Sequence, residues 1–413
     1  MNRDCLSERT CVESYLDYVD KDPYDFYSRK LQAGPVHWDE GMRAWLIFGY
    51  DESRFASTRP ELFEHPYNDF RGAKEVQGGT RGILMLQGEE HDRMHNFLLS
   101  HFTPAVVRKY REKLIRPLVL RRLDELGDRD HVDLAEEFAA RIPSDVIAAL
   151  LGLDWHDDEL LAQCRGWNHS IFRWSETFGE DEAVLEESLA AAKELERVLM
   201  PVIRARKDDP QDDLISVLWA RGPEILTPWT EAEVLAQCRV LFFAGADTTA
   251  HFLRNAIYVL MTQQHWQDEL RGELDGIQDF VDEVLRYYSP VHFRVRVAIQ
   301  DVELGGQLIK KGDRLHPMNA AANRDPRHYP DPDEVDTRRK PLRDHLAFHV
   351  GPRFCVGAAL ARGEGLEAIY CLLDRKEQIA GDPSAPPPQY LGHMPRSHQP
   401  LNVVLTARQI ATI

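Results

Sequence analysis

The sequence gives little support to a disulfide framework or a metal cluster. Its six cysteines, Cys5, Cys11, Cys164, Cys238, Cys355 and Cys371, have no paired spacing, and no Cys-x-x-Cys occurs among the 413 residues. A chain of this length without an export signal is a poor candidate for structural disulfides, and zinc ribbons and c-type haem attachment lose their signature. The N-terminal stretch lacks a basic-then-apolar leader, and no run reaches the ~18 apolar residues that span a bilayer. A cytoplasmic protein without membrane contact is the expectation. Basic residues are outnumbered, 50 against 68 acidic ones, for a net charge of -18. That balance argues against binding nucleic acid or an anionic membrane surface. Internal repeats, flexible linkers and an appended Gly-rich dinucleotide or flavin domain are also missing, so residues 1–413 read as a single domain.

What is present is ordinary for a soluble globular core: 43% hydrophobic and 29% charged residues. Helical periodicity dominates, over about 104–126, 181–207, 231–264 and 275–287. Strand-like alternation is confined to 35–50 and 293–313, the latter with a hairpin signal at Gly305-Gly306. A second hairpin is expected around Leu401 to Leu405. The proline-rich stretch 323–336 reads as a rigid meander. The expected fold class is therefore mainly α, a large helical domain with a small β-rich region.

The stretch "FHVGPRFCVGAALAR" (348–362) holds Cys355 in a glycine-punctuated turn ahead of a helical run. The N-terminus of a helix stabilises a thiolate through unpaired N–H groups and the positive end of its dipole. An isolated cysteine is also commonly a small core residue. A cysteine-phosphatase loop would place Arg six positions after Cys, where the chain has Ala361. A nucleophilic cysteine would need a histidine partner in space. The spacing Phe348-x-x-Gly351-x-Arg353-x-Cys355-x-Gly357 resembles the haem-binding loop of the cytochrome P-450 superfamily. The resemblance implies that Cys355 is the axial iron ligand of haem b (iron protoporphyrin IX), that Phe348 packs near the sulfur, and that Arg353 pairs with a propionate. His349 departs from the pattern, which has Gly after the Phe, and puts the local turn in doubt.

Other motifs follow in the family's order. "AGADTT" (244–249) puts an acid and two threonines into an otherwise apolar helix, where a buried carboxylate needs a partner or water. It resembles the family's oxygen-binding segment, which implies that haem lies between the Asp247 helix and the Cys355 loop. On that resemblance Gly245 leaves room over the iron, Thr248 donates to bound oxygen species and Asp247 relays protons. "EVLR" (283–286) matches the ExxR pair, which would lock to Arg338 or Arg339 of the meander. His91 and His95 occupy the propionate-holding HxxxR motif, with His95 replacing the arginine and making the charge pH-dependent. Arg296 matches the arginine of the other propionate, with Arg294 as competitor.

The resemblance further implies dioxygen activation for hydroxylation or epoxidation of a small organic substrate, in bacterial secondary metabolism. Electrons would come from a separate ferredoxin or flavodoxin system, docked on Arg108, Lys109, Arg111 and Lys113 if these are more than a solvated helix face. Oxidative C–C or C–N coupling without oxygen insertion is the alternative. The protein is expected to be a monomer. Expected substrate contacts are Phe243, Ala246, Val291, His292, Phe293 and Met394, with aromatic residues of 167–178 (Trp167, Phe172, Trp174, Phe178) nearby. Such aromatics suit a flat or cyclic dipeptide-like substrate, or simply a core.

Overall fold

The computed structural model describes residues 13–408; Cys5 and Cys11, with the rest of the N-terminal stretch, lie outside them. At its centre runs the helix Glu231–Thr262. Thr230 and Glu233 close a capping box at its start, and the acidic first turn suits the helix dipole. The helix buries residues on nearly every side along its length, as expected of a helix passing through a core. Arg141–Leu150, Asp158–Glu176, Glu182–Asp208, Leu274–Tyr287 and Ala358–Arg375 pack around it. The sequence-predicted helix over 104–126 forms with one interruption, a π-helical turn over Arg111–Ile115 between Pro104–Tyr110 and Arg116–Leu126. The expected helices at 181–207, 231–264 and 275–287 match Glu182–Asp208, Glu231–Thr262 and Leu274–Tyr287.

The β structure is small and lies to one side. A five-stranded sheet has the order Val36–Asp39, Ala44–Ile47, Arg314–Pro317, Arg296–Ala298, Phe63–Glu64. Its pairs are antiparallel except Ala44–Ile47 with Arg314–Pro317. The hairpin of Val302–Leu304 with Gln307–Ile309 turns at Gly305 and Gly306, both at positive φ, as a two-residue primed turn requires. The second hairpin does not form as expected around 401–405. Those residues fall largely in Asn402–Ala407, which pairs with the distant Lys376–Gly381 and His131–Asp133. The local hairpin is instead Gln389–Leu391 with Ser397–Gln399. Alternation marks a strand but not its partner.

The meander is fixed by buried charge. Arg286 makes a two-pronged contact to Glu283 at 2.9 and 2.7 Å. It also donates to the carbonyls of Asn323, Pro332 and Glu334. Arg339, not Arg338, completes the lock, reaching Glu283 at 3.4 Å, while Arg338 lies exposed beside Asp336. No helix among the described residues is long and apolar enough to cross a membrane.

Candidate active site

The Cys355 loop is held open by its backbone. Leu346–Phe348 and Gly351–Arg353 form short 3-10 turns, and the Cys355 N–H donates to the Phe348 carbonyl at 2.9 Å. Gly351 has φ +74°, and a Cβ there would meet Thr58 at 3.1 Å, so glycine lets the loop press on the preceding helix Tyr50–Thr58. Gly357 begins the helix Ala358–Arg375. Burial pushes the Cys355 thiol up, while the Gly357 N–H and the charges of Arg294 and Arg362 pull it back. Phe348 packs beneath Arg362, whose guanidinium carbon lies 4.5 Å from the ring centre.

Cys355 opens into a cavity with about 1520 Å³ of empty space, its mouth included. One wall is the loop 347–357; the opposite wall is the central helix, presenting Val240, Leu241, Phe243, Gly245, Thr248 and Phe252. A Cβ at Gly245 would meet only Ile147, at 3.6 Å, so no protein contact demands glycine there. The Thr248 hydroxyl donates to the Ala244 carbonyl at 2.7 Å. Asp247 does not line this cavity. It faces a neighbouring depression, where Asn168 donates to it at 3.2 Å and His169 lies 3.7 Å away. The His169 pKa is raised by the neighbouring Asp247 carboxylate. Glu176 shares the depression, its carboxyl pushed up to about 7 by burial. Phe172 forms the partition, touching both spaces and stacking on Phe243 at 4.8 Å.

One end of the cavity is strongly basic. His65, His91, His95, Arg294, Arg296, His349 and Arg353 line it together. Arg353 donates to the Leu86 carbonyl at 2.7 Å and to Gln87 at 2.8 Å; Arg296 reaches the Val295 carbonyl and the His349 ring. Among the described residues none of these three guanidiniums has a carboxylate within 4.0 Å. Burial lowers the pKa of each of the three, and at Arg296 repulsion from Arg353 and Arg294 adds to the effect. His91 is lowered by burial and then by Arg353. His95 is engaged by the loop backbone, its Nε2 lying 2.7 Å from the Phe354 carbonyl.

Of the sequence-predicted residues, Cys355, Phe348, Gly357, His91, His95, Arg296, Arg353, Gly245, Thr248, Phe243, Val291 and Met394 border the cavity. Five do not, and each has a physical reason. Gly351 supports the loop from behind, and Asp247 turns to the depression. Ala246 is buried off the helix face defined by Leu241, Gly245, Thr248 and Phe252. His292 is held between Tyr27 at 2.7 Å and Tyr390 at 2.8 Å, and Phe293 stacks on His316 at 4.8 Å. Of the 167–178 aromatics only Phe172 reaches the cavity; Trp174 instead donates to the Arg71 carbonyl. Residues the motifs did not reveal include His65, Tyr67 and Leu84 from the chain before His91. Another is Glu364, whose buried carboxyl lacks a partner at Oε2 and has its pKa raised well above the usual range. A glutamate two turns beyond Cys355 was the one available signal for the last of these.

A sulfur donor between apolar walls, with three unpaired guanidiniums at one end, fits a haem with two carboxylates. Among the described residues no group of three or more His, Cys, Asp or Glu could hold a bare metal ion. Comparison with known proteins adds to this geometry. The family model for cytochrome P450 matches residues 38–376. The chain is 31% identical over 374 residues to cytochrome P450 monooxygenase PikC of Streptomyces venezuelae, covering 88% of this chain and 86% of that one. P450BioI, solved with a fatty-acyl-ligated acyl carrier protein, superposes with a TM-score of 0.83 at 27% identity, covering 93% and 98% of the two chains. CxnD, described as forming a C–S bond in chuangxinmycin biosynthesis, gives a TM-score of 0.83 at 25% identity, covering 98% and 99%.

Proposed function

The chain belongs to the cytochrome P450 family and is an oxidoreductase of the monooxygenase type, and from this we propose that it oxidises a small apolar organic substrate in bacterial secondary metabolism. The observation that carries the reading is Cys355 at the mouth of a helix-starting loop, facing Thr248 across a cavity with a basic end. The cofactor is haem b, with the Cys355 sulfur as its iron ligand. Bound there, it supplies reductive activation of dioxygen and oxidation of a C–H bond.

The residues of the chain divide the remaining work. Arg296, Arg353, His91 and His95 hold the cofactor's carboxylates at the basic end, where charge-assisted hydrogen bonds are strongest. Phe348 shields the sulfur. Gly245 keeps a place clear of side-chain atoms on the central helix. Thr248 brings a hydroxyl to that place, where it would exchange its bond to the Ala244 carbonyl for one across the cavity, and Asp247, turned to the neighbouring depression with His169, would resupply its proton from the solvent side. The substrate lies against Tyr67, Leu84, Phe172, Phe243, Val291 and Met394, an apolar surface that excludes water and favours a flat or ring-bearing molecule. Electrons arrive from a separate ferredoxin or flavodoxin system. Residues 1–413 act as one domain, a cytoplasmic monomer.

The test is spectroscopic. The reduced, CO-bound protein should show the red-shifted Soret band of thiolate-ligated haem, and Cys355→Ala should abolish it; an ordinary histidine-haem band in the wild type would refute the proposal. A second reading, oxidative coupling without oxygen insertion, draws support from the likeness to CxnD. Turnover under labelled dioxygen separates the two: label in the product marks insertion, and an unlabelled coupled product marks the alternative.

A further inference from the structure

His349 has a backbone that its residue type resists. At φ +61° and ψ -176° it lies in a region that is essentially reserved for glycine. The strain is not spent on surface chemistry, because His349 is 4% exposed and its ring forms part of the cavity wall.

The hydrogen bonds of the ring fix its tautomer. Nε2 faces the Arg296 guanidinium, which can only donate, so Nε2 must accept. Burial, followed by Arg296, Arg294 and Arg353, holds the imidazole neutral. The single ring proton therefore sits on Nδ1. That nitrogen is buried and has no partner in the protein. A buried N–H left without an acceptor is costly, and here it stands beside guanidiniums that have no carboxylate within 4.0 Å in the same wall.

We propose that His349 is a further cofactor-holding residue: its Nδ1–H donates to a carboxylate of the bound haem, while its Nε2 fixes Arg296 within reach of the same end. The inference rests on the reading of the Cys355 cavity as a haem site. It assigns a side chain to the cofactor at the position where the loop pattern departed from expectation, and it explains why backbone strain is retained there.

The experiment uses the holoprotein and two substitutions. His349→Gly removes the donor and relieves the strain; His349→Phe removes the donor but keeps a ring and the strain. For each, haem transfer to excess apomyoglobin is timed and the reduced CO spectrum recorded. Both variants should keep the thiolate Soret band and lose haem about tenfold faster than wild type, the size of one hydrogen bond to a charged group. Haem loss within twofold of wild type in the Gly variant would overturn the proposal, since strain alone would then explain a slow or fast Phe variant. Fast loss confined to the Gly variant would also overturn it, assigning the effect to ring volume. A wild type without the thiolate band would refute the haem-site reading itself, a separate outcome.

Discussion

Two groups of arginines are withdrawn from solvent in this fold, and their charges are balanced in different ways. In the first, Arg286 and Glu283 are fully buried together, Arg339 joins them, and neighbouring Asp282 is met by Arg362 and His345 and, from the surface, by the exposed Arg343. Burial alone would raise the Asp282 pKa, but the His345 hydrogen bond and Arg362 outweigh it and leave it lowered. In the second, Arg294, Arg296 and Arg353 share a cavity end with histidines and have no carboxylate within 4.0 Å among the described residues; Asp92, which pairs with His91, acts on Arg353 only from farther away. The first group is closed: each charge is answered within the chain, so it serves the fold. The second is open, and a charge that the chain leaves unanswered is a demand for an anionic ligand.

The sharpest way to break this contrast is to remove one charge from each group. Glu283→Gln leaves Arg286 and Arg339 buried without their carboxylate, and breaking such a pair costs about 3–5 kcal/mol. Against a typical stability of roughly 5–15 kcal/mol that is a large part of the total. The expected result is a melting temperature lowered by several degrees and a reduced soluble yield. Arg296→Met should behave in the opposite sense. It removes an unpaired charge, so helical signal and soluble yield stay close to wild type, while the haem-to-protein ratio falls. Equal loss of fold in both variants would erase the distinction between the groups.

How far the sequence foretold this arrangement depended on the range of the contacts. The Cys355 loop, the central helix and the Glu283–Arg286 pair were legible because their spacing is local and their chemistry is specific. Arg339 could not be separated from Arg338, because adjacent residues differ only in which side of the meander they face. The segment after Pro290 misled for a related reason. Val291, His292 and Phe293 were all expected at the substrate, yet past an isolated bridge at Val291 the chain is irregular and follows no regular side-chain period. Val291 and Arg294 face the cavity, while His292 joins Tyr27 and Tyr390 and Phe293 stacks on His316. The inward turn of His349 was hidden because it depends on a positive φ that no sequence pattern announces. His65 and Tyr67 were hidden because they approach Cys355 only through the fold.

The smallest expected effect sharpens the contrast from the side of the acids. An arginine stays protonated and must find a ligand, whereas a buried carboxyl can discard its charge by taking a proton. Glu176 does so: burial raises its pKa to about 7, although the Met394 N–H and His169 pull the other way. Its folded pKa lies above its unfolded value, so the stabilisation is complete below about pH 4.5 and is lost as pH rises through about 7. The slope in that window is at most about 1.4 kcal/mol per pH unit, and screening at this half-buried site reduces it. His169, also raised, adds a slope of the same sign that is lost as pH climbs past its own folded pKa. Glu176→Gln should leave the melting temperature unchanged near pH 4.5 and raise it by one or a few degrees at about pH 7.5. The weaker slope that remains belongs to His169. Melting curves of wild type and variant that stay parallel across this range would show that Glu176 remains ionised, balanced within the chain like the carboxylates of the closed group.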